Sequence, residues 1–339
     1  MKQEYLARAI VVTLLVLVLA LPVIGKTLWR LQNPTVLEMR ARLPESGGWS
    51  PSTITVRSGQ LLTLRFTSED VVHGFAIGKL DQPEIEILPG EFVETTLILS
   101  TPGKYVFYCT RWCGPNHWRM RGVINVIGDG PTPTPEPTPL YLGLEIDLDA
   151  PHQAEIIPDR VVEPQRGSKL QDRLPSYALE QATYLSNSPA SLWMRLRAEP
   201  SLRDLNDDDL WDLVAWVWEQ HTSAQEIVAA QELYAENCAA CHGETGKGDG
   251  VMMRDLPPPA PDNHTPAHNE RTRPPDWSDP RQLLGASPAL LAGKITRGGM
   301  GTGMPYWGPI FTPEQIDALV AYLYRFAWNA LSKETPAHP

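Results

Sequence analysis

The chain opens with one continuous apolar run from Ala9 to Ile24, with Arg8 and Lys26 at its ends and Tyr5 and Trp29 beyond them. About 20 apolar residues cross a bilayer, and aromatic and cationic residues mark its interfaces. Residues 1–30 therefore read as an N-terminal transmembrane helix. The region after the run is a poor signal-peptide cleavage site, which favours a retained anchor. The anchor implies a single-pass protein of the cell membrane, with everything after residue 30 on the periplasmic, extracytoplasmic side.

The pattern then changes to period two. Thr53-Ile54-Thr55-Val56 and Leu62-Thr63-Leu64-Arg65-Phe66 alternate, Gly59, Pro89-Gly90 and Pro102-Gly103 interrupt, and Gly122–Ile127 reads as a closing strand. Short alternating segments with turn signals predict an all-β sandwich over 47–128. Residues 129–141 form a linker in which proline recurs at alternate positions, which forbids helix and favours polyproline II. Beyond it the pattern is helical. Asn206 before three aspartates and Thr312-Pro313-Glu314-Gln315 are helix starts.

The helical part contains a partial repeat. Leu210–Trp218 aligns with Ile316–Tyr324, and Ser188-Pro189-Ala190 with Ser287-Pro288-Ala289. The first copy is shorter between these points and has no cysteine. Residues 142–222 read either as carrying an amphipathic helix that resembles a later one by chance or, more sharply, as a degenerate copy of the domain at 224–329 that has lost its cofactor. The aromatic residues of these helices read as core.

A net charge of −11 argues against nucleic acid as a partner, since phosphates recruit lysine and arginine. The four cysteines fall into two tight pairs, Cys109/Cys113 and Cys238/Cys241, unlike a disulfide scaffold. The segment Tyr108–Met120 supplies two thiolates, the imidazole of His117 and the thioether of Met120. His73, after an earlier strand, supplies a second imidazole. Soft sulfur ligands select copper, and a second cysteine lets two thiolates bridge two ions. A disulfide or a zinc site would leave Met120 and His73 unexplained.

C-x-x-x-C-x-x-x-H-x-x-M, preceded by S-x-D-V-x-H-x-F, resembles the copper A domain of cytochrome c oxidase subunit II, a cupredoxin sandwich. The resemblance implies a binuclear copper centre with bridging Cys109 and Cys113, imidazoles His73 and His117, weak ligand Met120, and the backbone carbonyl of Arg111. Arginine stands at that last position where the family most often has glutamate. The single predicted helix is closer to the B-type oxidases.

Cys238-Ala-Ala-Cys-His242 is the attachment motif of a c-type haem, in which both thiols bind the vinyl groups and the histidine binds iron. With the Gly-rich and Pro-rich segments after it and Gly303-Met304-Pro305, residues 224–329 resemble a class I c-type cytochrome. That implies one covalently bound haem c, Met304 as sixth ligand with Met300 as rival, and a carbonyl of Pro257 or Pro258 on the His242 ring. His264 and His268 lie in an insertion.

Together these features imply an electron-transfer subunit of a haem–copper terminal oxidase. Its donor would be a c-type cytochrome or a cupredoxin, and its partner the catalytic subunit I in the membrane. A nitric-oxide-reducing partner and a free-standing anchored carrier are the alternatives.

Overall fold

The computed structural model describes residues 20–21, 35–114, 116–132, 135–254, 273–299 and 302–330. Apart from Ala20 and Leu21, the predicted N-terminal helix lies outside the described residues, and no helix among them is long and apolar enough to cross a membrane. The chain divides into two compact units, one dominated by residues up to 135 and one by residues from 136 onward.

The first unit contains eight strands among the described residues: β1 (Thr35–Ala41), β2 (Thr53–Arg57), β3 (Leu61–Ser68), β4 (His73–Ile77), β5 (Ile85–Ile87), β6 (Val93–Ile98), β7 (Gly103–Tyr108) and β8 (Arg121–Ile127). They form a three-stranded sheet, β1-β3-β6, and a five-stranded sheet, β2-β8-β7-β4-β5. β1 pairs parallel with β3 and β2 parallel with β8, while the other neighbours are antiparallel. This is the expected cupredoxin-like sandwich, with a strand added upstream of residue 47. In β1, Met39 and Ala41 face the core while Glu38 and Arg40 face solvent. That alternation is too short to stand out beside the apolar run before it.

Phe66, Phe75 and Phe107 are fully buried between the sheets, and Trp49 packs edge-on against all three. Each such ring contributes about 1.5–3 kcal/mol by leaving water. At Gly122 an added Cβ would lie 2.1 Å from the Phe107 ring and 2.5 Å from the Ser52 carbonyl, so only glycine lets these layers close.

The second unit is helical, comprising α1 (Leu140–Gly143), α2 (Pro164–Gly167), α3 (Gln181–Ser186), α4 (Pro189–Ala198), α5 (Asp207–Glu219), α6 (Ala224–Asn237), α7 (Ala239–His242), α8 (Pro280–Leu284), α9 (Pro288–Arg297) and α10 (Pro313–Ala330). The aligned segments build alike. α4 and α9 each start at a Ser-Pro, with the serine side chain accepting from the backbone N–H three residues on, at 3.1 Å for Ser188 and 3.2 Å for Ser287. α5 and α10 follow them. Trp211, Trp218 and Tyr324 are buried as core, whereas Trp216 and Tyr322 are only half-buried.

α6 begins in a capping box of Ser223 and Glu226, and α10 in the expected pairing of Thr312 and Gln315. α6 packs on α10 through Tyr234, Tyr322 and Phe326.

Candidate metal centres

The loop from Cys109 to Met120 joins β7 to β8, and the Cys109 N–H donates to the Met120 carbonyl at 3.0 Å to close its base. The indole N–H of Trp49 donates to the same carbonyl at 3.1 Å. Both ends of the loop are therefore fixed by sandwich neighbours. His73 opens β4 next to β7, which places its ring under the loop. The left-handed backbone of Asn116 (φ 57°) turns the chain so that His117 points inward.

All the predicted donors converge. His73 Nδ1 is 3.7 Å from Cys109 Sγ, and His117 Nδ1 is 3.4 Å from Cys113 Sγ. Met120 Sδ is 3.9 Å from Cys113 Sγ, and the Arg111 carbonyl is 3.2 Å from Cys109 Sγ. One ligand atom each from His73, Cys109 and Cys113 falls within 4.8 Å of the others. Nitrogen and sulfur donors about 2.0–2.3 Å from a shared ion lie roughly 3.3–3.8 Å apart, so this spacing suits metal between them.

The electrostatics agree. The hydrogen bond between the two thiols pulls Cys109 well below the usual thiol range and drives Cys113 up. Metal binding requires both thiols as thiolates, so it would displace their protons. Asp70 Oδ1 lies 2.8 Å from His73 Nε2. That carboxylate fixes the proton on Nε2 and leaves the Nδ1 lone pair facing sulfur. Burial opposes the Asp70 anion, but the Leu43 N–H and the His73 ring hold its carboxyl below the usual range.

Arg111 contributes its carbonyl inward and sends its guanidinium outward to Glu84, at 2.6 Å. The sequence reading missed this pair and the supporting roles of Asp70 and Trp49. Trp112 is 42% exposed, with its ring centroid 5.7 Å from that of His117.

In the second unit, Cys238 directly follows α6 and His242 ends α7, one turn on. The glycines after them let the chain fold back over this turn. The Gly248 N–H donates to the His242 carbonyl at 2.8 Å, and a Cβ at Gly250 would lie 2.3 Å from the Ala240 carbonyl. Tyr234 Oη donates to the Gly243 carbonyl at 2.7 Å. The His242 ring stacks on Trp277, with centroids 4.3 Å apart and planes 12° from parallel. Trp277 carried no signal in the sequence reading.

Burial pulls His242 down to about 4, which keeps the imidazole neutral and able to bind iron. Burial, then Cys241, pushes the Cys238 thiol up to about 12. Two cysteines and a neutral histidine on one turn fit a covalently held haem. His242 Nδ1 has no hydrogen-bond partner among the described residues. Pro257, Pro258, His264, His268 and Met300 lie outside them. Met304 is described, and its carbonyl accepts from the Gly299 N–H at 3.2 Å.

The family described as cytochrome C oxidase subunit II, periplasmic domain, matches residues 51–127, and the cytochrome c family matches residues 227–325. The chain joins a subunit II domain to a cytochrome c domain. Over 79 residues the subunit II domain is 35% identical to cytochrome c oxidase subunit 2 of Thermus thermophilus, covering 23% of this chain and 58% of that protein. A second Thermus thermophilus subunit 2, from a named strain of that species, is also 35% identical over 79 residues, covering 23% of this chain and 46% of that protein. A third relative is the Cbb3-type cytochrome c oxidase subunit FixP of Azorhizobium caulinodans, 33% identical over 93 residues, 27% of this chain and 25% of FixP. The chain thus spans about half the length of the subunit II relatives it matches, and less of the third.

Proposed function

We propose that this chain is the electron-entry subunit of a membrane-bound haem–copper oxidase. The observation that carries the reading is the convergence of two thiols, two imidazole Nδ1 atoms, one thioether and one carbonyl in a single loop-and-strand site, every sulfur contact within 3.9 Å. With the haem motif in the same chain, it gives two one-electron stations. Cys109, Cys113, His73, His117, Met120 and the Arg111 carbonyl would hold a binuclear copper A centre. Cys238 and Cys241 would hold haem c covalently, and His242 and Met304 would bind its iron. When bound, these groups supply reversible one-electron storage, and a filled ligand set leaves oxygen no binding position.

The polypeptide has three tasks. The rigid loop base at Met120 holds the sulfur donors in one geometry, so little rearrangement accompanies electron transfer. Asp70 accepts from His73 Nε2 and so turns the Nδ1 of that ring toward the Cys109 sulfur. The net charge of −11 would favour a basic soluble donor for the haem domain, a c-type cytochrome or cupredoxin. Electrons would enter at the Cys238–His242 site, pass to the Cys109–Cys113 site, and leave to a catalytic subunit I anchored alongside this chain in the cell membrane. Reduction of dioxygen would occur there.

The test is oxygen uptake in membranes containing the assembled complex. Cys109→Ser should abolish uptake driven by a soluble donor while leaving haem reduction by that donor intact. Undiminished uptake in that variant would remove the copper loop from the pathway.

A further inference from the structure

We propose that residues 140–154, which leave the proline spacer, form a clasp that positions the Met304 segment, with Asp149 as its positioning residue. The proposal rests on the haem reading above. Its basis is a continuous set of contacts onto α8 and α9. The Ala154 N–H donates to the Arg281 carbonyl at 2.9 Å. Two glycines make room for the clasp. An added Cβ at Gly285 would lie 1.9 Å from the His152 carbonyl oxygen, and one at Gly293 would lie 2.7 Å from Leu148 Cδ2 and 2.9 Å from the Tyr141 ring. Leu148 and Ala154 are buried by this packing.

Asp149 closes the clasp. Its two oxygens take both terminal nitrogens of Arg297, at 2.8 and 2.6 Å. A two-point pairing of this kind fixes orientation as well as proximity. Arg297 is the last residue of α9, and the chain on either side of it is tied to the methionine segment. The Trp307 N–H donates to the Ile295 carbonyl at 3.1 Å, the Gly308 N–H to the Thr296 carbonyl at 3.2 Å, and the Gly299 N–H to the Met304 carbonyl at 3.2 Å. Asp149 therefore acts on Met304 through Arg297 and these three hydrogen bonds. The first stretch of chain after the spacer holds the distal side of the haem site.

The experiment uses the haem-loaded full chain and free imidazole, which competes with the methionine for iron. The apparent affinity reports how often the methionine segment is open, because only the open form binds. Asp149→Asn should raise imidazole affinity about two- to fivefold, the range that an exposed ion pair supports through that relation. Asp149→Glu should stay near wild type, and the swap Asp149→Arg with Arg297→Asp should restore most of the loss. Met304→Ala serves as the reference, with the tightest imidazole binding. Wild-type affinity in Asp149→Asn alongside a large effect in Met304→Ala overturns the clasp and spares the haem reading. Wild-type affinity in Met304→Ala overturns methionine ligation, and the clasp with it.

Discussion

Asp70 Oδ1 sits 2.8 Å from His73 Nε2, and the opposite nitrogen of that ring faces the Cys109 sulfur. The carboxylate thereby selects which imidazole nitrogen meets the metal. Partners of this type change metal affinity by about 10–100-fold when removed. Asp70→Asn should weaken copper retention by that order, measured by competition with a chelator. Unchanged retention would mean that burial alone orients His73.

The proposed binuclear centre rests on two thiol–imidazole pairs, with Sγ to Nδ1 distances of 3.7 and 3.4 Å. Metal analysis should give two coppers per chain, with a mixed-valence electron paramagnetic resonance signal. Cys113→Ser should abolish that signal or leave a mononuclear site. One copper per wild-type chain with a type 1 spectrum would refute the binuclear centre.

Residues 142–222 carry no cysteine, and we propose that they hold no haem. Trp193 stacks on Trp211, centroids 5.8 Å apart, and the buried Asp212 is held by Arg160, Arg166 and the Glu163 N–H. Pyridine haemochrome analysis should therefore return one haem c per chain, and two would contradict the degenerate-copy reading.

Asp212 also sets a stability prediction. Its side chain is fully buried, and both arginines reach Oδ2 at 2.8 and 2.7 Å. Removing one partner of a buried ion pair costs about 3–5 kcal/mol. Arg160 and Arg166 stay about one-third exposed and can turn to water, which places Asp212→Ala nearer 2–4 kcal/mol. Urea denaturation followed by helical circular dichroism measures it, and a loss under about 1 kcal/mol would show that packing alone holds the segment.

Much of this was legible in the sequence, because the informative features are local. Cys109, Cys113, His117 and Met120 fall within one loop, and the haem motif within five residues, so their spacing and the family resemblance it carries point to metal and haem chemistry. Helix starts such as Ser287-Pro288 are equally local. What the sequence hid depends on distant partners. Trp49 is far from the Met120 carbonyl along the chain, and Asp149 further still from Arg297. Glu84 meets Arg111 only because β5 adds to the edge beside β4. Trp277 follows an insertion, so no spacing rule ties it to His242. β1 was hidden by brevity, since only Met39 and Ala41 mark its inner face.

The central claim is that electrons cross from the Cys238–His242 site to the Cys109–Cys113 site. Stopped-flow reduction of the loaded chain by a soluble donor, with haem and copper bands followed separately, tests it most directly. Haem should be reduced first, and the double variant Cys238→Ala with Cys241→Ala should slow copper reduction sharply. Copper reduction at the wild-type rate in that variant would show that electrons bypass the haem domain and would contradict the account.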